Sequence, residues 1–239
     1  MGRCIYLRKG EVHTAPVVGI KAGDLPIGQI VKLMEGGVET EFIVVNQGIP
    51  ENSSLYDASC NGTWLLRKDI KEKRVWNNTN NSNYEKSTIN NWLNGEYLNN
   101  FDAIGRKAIK QVKIPYVNVT GGTSVASGAN GLSVRVFLFG GYELNWKTTT
   151  NSNFPIDGAV LEYFKGTATS DSKREARLSG TLTNWWLRSP YTDYSTHTWL
   201  VKTNGGYNYD ITSAFQGIRP ALILPSTSIF DPTTYLLKK

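Results

Sequence analysis

The 239 residues carry 26 Lys and Arg against 20 Asp and Glu, a net charge of +6, with 40% apolar, 11% aromatic and 19% charged side chains. That length and apolar content suffice for a full hydrophobic core and exclude a disordered chain, and the mild basic excess is too dilute for the cationic stripe of a nucleic-acid binder. Seven Trp and twelve Tyr stand beside only two His and two Cys, so contact-making side chains are abundant and catalytic or metal-binding ones scarce.

The first ten residues lack the apolar core of a secretory signal. No apolar run approaches the roughly 18 residues of a membrane span; Ala221–Leu224, four residues and as long as any, stops at Pro225. The expectation is a chain that is not exported or inserted into a membrane. Cys4 and Cys60 are then reduced thiols, and the sequons at Asn52, Asn61, Asn77, Asn80 and Asn118 are chance products of an Asn-rich chain.

In chain order, residues 1–24 are polar, broken by Gly10, Pro16, Gly19 and Gly23, and read as an extended N-terminal arm. Residues 29–33 alternate as a strand, Glu35-Gly36-Gly37 turns, and residues 41–45 return; Thr63–Arg67 is a third strand. An Asn-rich loop follows Trp76. Ser87 or Thr88 caps a first helix carrying Ile89, Trp92 and Leu93. Asp102 caps a second, with Ile104, Ala108, Ile109 and Val112 on one face and Arg106, Lys107 and Lys110 on the other, ended by Pro115. A Gly/Ser/Thr loop spans 120–131, a strand 134–138, and a polar excursion 145–158 around Trp146. Residues 170–178 read as a short helix capped by Ser170 or Asp171. Strands at 185–188, 198–201 and 218–224 close the chain, with a hairpin turn at Asn204-Gly205-Gly206. The sum is an α+β domain of short antiparallel strands with two main helices and a high loop content.

Catalytic patterns are missing. His13 lies in the arm and His197 in a Thr/Ser/Tyr-rich loop, neither with a nucleophile partner. No zinc, P-loop or dinucleotide motif occurs. The pairs Asp57 with Cys60 and Glu143 with Glu162 read as loop carboxylates. The expectation is a non-enzymatic protein without a cofactor; scattered Asp and Asn leave a structural Ca²⁺ open.

One window does stand out. Of the 29 residues from 189 to 217, six are aromatic and thirteen are Ser, Thr, Asn or Gly. Antibody paratopes have that composition, rigid aromatic area among adaptable hydrogen-bonding groups. Trp199, Leu200 and Val201 read as packed strand. Alternation puts Tyr207 and Tyr209 on one face and Asn208 and Asp210 on the other. Tyr191, Tyr194, His197, Tyr209, Ile211 and Phe215 are expected to be mostly exposed. With Asp193 and Asn208 they form the candidate ligand-binding set.

The window is flanked by Trp185-Trp186-Leu187-Arg188-Ser189-Pro190 and by Gly217-Ile218-Arg219-Pro220-Ala221-Leu222. With Ser87-Thr88-Ile89-Asn90-Asn91-Trp92-Leu93-Asn94-Gly95, and Arg135-Val136-Phe137-Leu138 before Gly141-Tyr142-Glu143, these motifs resemble a large family of bacterial and phage proteins with a C-type-lectin-like fold. That fold is related to the formylglycine-generating-enzyme type. The resemblance covers about residues 25–225, leaving 1–24 as an attachment arm and 226–239 as a C-terminal tail.

Tyr56-Asp57-Ala58-Ser59-Cys60 and Trp64-Leu65-Leu66-Arg67-Lys68-Asp69-Ile70 are similar to a phage subgroup. That likeness implies a tail-associated virion protein, made in the bacterial cytoplasm, that binds a cell-surface protein or glycan, meets other tail proteins through its arm and forms a homo-oligomer. Related folds are targets of diversity-generating retroelements, which randomise adenines in the codons of a C-terminal ligand face. The alternative is a decoration or baseplate subunit with no receptor of its own. The oxidase relatives need a Cys or metal pair near the C-terminus, whereas both thiols here lie in the first quarter. The Glu-Pro-Asn and Trp-Asn-Asp signatures of Ca²⁺-dependent sugar lectins are also missing. Arg188 and Arg219 are expected to hold the scaffold by pairing with buried carboxylates or loop carbonyls.

Overall fold

The computed structural model describes residues 19–238. His13, Cys4 and most of the expected attachment arm lie outside them.

The fold is mixed α+β, with mostly strands, few helices and many loops. In the first five-stranded sheet Ile30–Glu35 alternates between half-buried and buried positions, and its hairpin partner is Val38–Gln47. Gly36 and Gly37 join them with φ of +61° and +80°, the left-handed pair that a two-residue hairpin turn requires. Val38–Gln47 pairs with Thr63–Arg67 through an irregularity between Val44 and Asn46. Ala221–Leu224 and then Val136–Phe137 complete the sheet, all antiparallel. Ala221–Leu224 is buried at all four positions, which explains its continuous apolar run.

The second sheet runs Tyr207–Ile211, His197–Val201, Trp185–Pro190, Phe215–Gly217 and Lys73–Val75. Its pairs are antiparallel except the one joining Trp185 to Gly217, which is parallel.

Six of the seven Trp are fully buried, and each has an acceptor for its indole N–H. Trp64 donates to Gly48 O, Trp76 to Leu187 O, Trp146 to Thr169 O, Trp185 to Arg174 O, Trp186 to Arg74 O and Trp199 to Asn153 O. These bonds lock core indoles to loops as well as strands, which gives the loop-rich chain fixed anchor points.

The first expected helix forms at Thr88–Trp92, capped by Ser87, and continues as a π turn over Leu93–Tyr97. The second is shorter than expected. Ala103–Ala108 is helical, with the Asp102 carboxylate accepting from Gly105 N, but Ile109 is already extended. Val112–Ile114 is a strand paired with Leu132–Val134, so cross-strand pairing outcompetes the helical period, and Ile104 is left 41% exposed. The expected strand over 134–138 breaks at Arg135, where the Asn94 side chain accepts from Arg135 N and Val136 N. Residues 170–178 do not form an α-helix. A single 3-10 turn, Ser172–Arg174, is capped by Asp171, and Arg177–Leu178 is a strand.

Both described ends of the chain are built into the domain. Ile20–Lys21 pairs with Ile229–Phe230, Ala22 is fully buried, and Leu237 packs in the core. Residues 19–24 and 226–238 are therefore packed structure, which moves them out of the expected arm and tail.

Candidate functional site

The most distinctive surface of the second sheet is built upward from Trp199. Its ring stacks on Phe154 with centroids 4.0 Å apart and an interplanar angle of 22°, and meets Tyr207 edge-on at 5.6 Å. Its indole donates to Asn153 O at 3.1 Å, and the Asn153 amide donates to the Tyr191 hydroxyl at 2.5 Å. Asn153 thus ties the loop at 145–158 to both the buried base and the ring above it.

On that base four rings meet. Tyr191 lies 4.9 Å from Trp199, 4.3 Å from Tyr209 and 5.3 Å from Tyr194. His197 lies 5.2 Å from Tyr194 and 5.7 Å from Tyr209. Tyr194 and Tyr209 are nearly parallel, 25° apart at 6.5 Å. Tyr194 is 51% exposed and Tyr209 40%, while Tyr191 and His197 are half-buried. Register explains the grouping: His197 faces Ile211, Trp199 faces Tyr209 and Val201 faces Tyr207, so these side chains share one face of the sheet.

The turn at 191–197 is tied back on itself, with Tyr194 N donating to Tyr191 O and His197 N to Tyr194 O. Two loops brace it. Ser82 N donates to Ser195 O at 2.8 Å. Gly121, at φ +66°, approaches so closely that a side-chain carbon there would lie 3.1 Å from the Ser195 Cα. The Asn153 amide meets the Tyr191 hydroxyl, the Thr196 hydroxyl meets His197 Nδ1, and Asp193 is the exposed charge in the turn.

The eight candidate residues therefore divide. Tyr191, Tyr194, His197 and Tyr209 form one cluster, Ile211 (36% exposed) sits opposite His197, and Asp193 is exposed in the same turn. Asn208 faces Leu200 and belongs to the other side of the sheet. Phe215, 68% exposed, borders a separate hollow with Val75, Ile89 and Trp92. Trp146, in the excursion at 145–158, is 1% exposed and packs under Tyr207. Its loop contributes instead through Asn153 and Phe154, two positions without a sequence signal of their own. Of the Asn-rich loop, Asn77 is buried and its side chain bonds within the loop and to Thr88, so the amides there are largely structural.

Beneath the turn lies a buried charge cluster. Arg188 donates to both oxygens of Glu143, at 2.6 and 3.0 Å, and to the carbonyls of Pro115, Leu138 and Asp157. Glu143 also accepts from the Tyr56 hydroxyl and from Gly140 N. Asp157 accepts from the Ser189 hydroxyl at 2.7 Å, while its other oxygen has no hydrogen-bond partner. Glu143 thus partners Arg188 and not Glu162. Burial and then Glu143 hold the Tyr56 hydroxyl well above its ordinary pKa. For Arg188 burial opposes the charge, and Glu143 with Asp157 more than offsets it, leaving the guanidinium protonated. The Cys60 thiol is buried and pushed up to about 12 by that burial, so it is a poor nucleophile, and Asp57 simply caps the turn beside it.

Burial pushes Asp157 up to about 6, with Glu143 adding to the rise and Arg188 opposing it. A carboxylate whose folded pKa lies above its unfolded value penalises the folded state at neutral pH, and the penalty is relieved as pH falls through the folded pKa. Asp57 and Asp231 are shifted the other way by hydrogen bonds, so their contribution is lost at lower pH, below the ordinary carboxylate range. Stability is expected to rise from pH 8 to pH 5 by about 1.4 kcal/mol and to fall again below pH 4. Urea denaturation across that range checks it. Asp157→Asn should flatten the rise between pH 8 and pH 5, and an unchanged slope would reject the assignment.

Among the described residues, no group of three or more His, Cys, Asp and Glu is placed to hold a metal ion, and no helix is long and apolar enough to cross a membrane. No match was found among curated proteins or among solved structures. Residues 61–226 match the domain of unknown function DUF6273. That span contains the paired end motifs, the Arg188–Glu143 pair and the whole aromatic turn, and the chain belongs to the DUF6273 family.

Proposed function

We propose that this is a non-enzymatic ligand-binding protein with a C-type-lectin-like fold, whose binding surface is the aromatic platform of Tyr191, Tyr194, His197 and Tyr209. The observation that carries the reading is the contrast between support and surface. Trp199, Phe154 and Asn153 hold the rings from below, yet Tyr194 and Tyr209 remain 51% and 40% exposed. Large aromatics left in water on a rigid base have the make-up of an interface hot spot. The ligand is a bacterial cell-surface protein or glycan and the setting a phage tail. That setting rests on the motif resemblance, as do homo-oligomerisation and diversification of residues 189–217 by a retroelement.

The test is binding of the labelled full chain to a panel of bacterial cells and to a glycan array. Saturable binding that Tyr194→Ala/Tyr209→Ala removes supports the reading; binding indifferent to that change rejects it. Diversification has its own test in the source genome, which should hold a near-repeat of the window differing mainly at adenines beside a reverse transcriptase gene. One observation favours a second reading, a virion subunit that uses this region for packing. Phe215 is the most exposed large apolar side chain of the described residues and stands apart from the platform.

A further inference from the structure

Arg188 and Arg219 occupy the two motifs that flank the window, and both are 1% exposed, but their electrostatic situations differ. Arg188 has a bidentate carboxylate partner. Arg219 has none among the described residues. Its Nε donates to Arg67 O at 2.9 Å, its Nη1 to Arg174 O at 3.3 Å, and its guanidinium lies 5.1 Å from the Trp185 ring centroid. A guanidinium carries five N–H donors, so most of its hydrogen-bonding capacity is unused. Burial lowers its pKa to about 10, the direction expected of a buried charge without a counter-ion. Arg174, the third fully buried Arg, differs again: its fork is occupied by the carbonyls of Leu144, Ala168, Thr169 and Gly205 and by the Thr167 hydroxyl.

Arg219 borders a surface hollow of about 260 Å³. The other charged residues around it are Lys68, Lys173 and Arg177 on one side of the balance and Asp69 and Glu175 on the other. Lys68 is paired with Glu41 at 2.7 Å. The Lys173 ammonium sits 5.2 Å from the Tyr163 ring centroid and donates to Tyr163 O, while Arg177 donates to Gly180 O. Both are exposed at the rim and neither has a carboxylate partner among the described residues. A buried guanidinium without an ion-pair partner, in the lining of a hollow where Arg219, Lys173 and Arg177 outnumber Asp69 and Glu175, calls for an oxyanion, whose geometry suits the planar fork.

We propose that this hollow binds a phosphate group, with Arg219 at its base and Lys173 and Arg177 at its rim. It shares no residue with the aromatic platform, so its occupancy is independent of what Tyr194 and Tyr209 contact. The phosphate belongs either to a monoester on a small molecule or to a phosphodiester of a surface polymer.

Calorimetric titration of the full chain at fixed ionic strength with inorganic phosphate, glycerol phosphate and dimethyl phosphate tests the proposal. Saturable binding is expected for at least one of the three. Lys173→Gln/Arg177→Gln should weaken it at least tenfold, with melting curves showing that the variant is folded. Asp69→Asn, which removes an opposing charge at the hollow, should tighten it severalfold, a gain that a purely structural Arg219 would not produce. Binding of glycerol phosphate without dimethyl phosphate identifies a monoester, and binding of dimethyl phosphate identifies a diester polymer. No saturable heat with any of the three, or equal affinity in the double variant, overturns the proposal.

Discussion

Arg188→Ala is expected to destabilise the fold by about 3–5 kcal/mol, the range for removing one partner of a buried ion pair. The loss is large because the guanidinium bridges elements far apart in sequence. It joins Glu143 to the carbonyls of Pro115, Leu138 and Asp157, all in the dry interior. Truncation leaves the Glu143 carboxylate buried with only Tyr56 and Gly140 N as donors, and strips three carbonyls of a donor. Against a typical total of about 5–15 kcal/mol, that removes about a fifth of the stability or more. Urea denaturation measures it. Replacing Arg188 and Glu143 together by Met should cost less than Arg188→Ala alone, since only the Asp157 carboxylate, which burial already pushes toward its neutral form, then lacks its cation. If Arg188→Ala abolished ligand binding while leaving the unfolding midpoint unchanged, Arg188 would be a ligand contact and not a scaffold residue.

The parts of the fold that were legible in the sequence are those where local chemistry and long-range pairing agree. The hairpin at Gly36-Gly37 needs left-handed residues that the sequence supplies as glycines, and Ser87, one of the two expected caps, caps the first helix. The failures come where a distant partner overrides a local period. Ile104, Ala108, Ile109 and Val112 are spaced for a helix, yet Val112 is taken by Val134 from a strand some twenty residues on. Arg135 interrupts an apolar run because the Asn94 amide claims two backbone N–H groups there, a contact no local pattern encodes. At the site, the same distinction separates Tyr209 from Phe215. Alternation along one strand predicts which face Tyr209 shares, whereas Phe215 follows a turn onto a strand beside Lys73–Val75, and nothing in its spacing reveals that neighbour. Asn153 is the sharpest case: it holds Tyr191 and Trp199 at once from a loop with no periodicity to read.

Tyr194→Ala/Tyr209→Ala is expected to weaken ligand binding by roughly a thousandfold, while the unfolding free energy falls by no more than about 1–2 kcal/mol. The first figure takes about 2 kcal/mol for each hot-spot aromatic, and each 1.4 kcal/mol is tenfold in affinity. The second follows from exposure. Half of Tyr194 and two-fifths of Tyr209 already face water, so little buried area is lost, though Tyr209 gives up contacts with Tyr191 and Trp199. Trp199→Ala is the contrasting variant. It empties the base of the platform and should cost about 3–5 kcal/mol, so its loss of binding would come with a large fall in stability. Tyr194→Phe separates stacking from hydrogen bonding: the Tyr194 hydroxyl makes no side-chain hydrogen bond among the described residues, so a drop in affinity would assign that hydroxyl to the ligand. Phe215→Ala tests the boundary of the surface. Phe215 borders the hollow at Trp92 and does not touch the four-ring cluster, so its truncation should leave affinity within a few-fold of wild type. If Phe215→Ala were instead as damaging as the double Tyr variant, the ligand would span the edge of the sheet and reach the Trp92 hollow, and the binding surface would extend beyond the four rings.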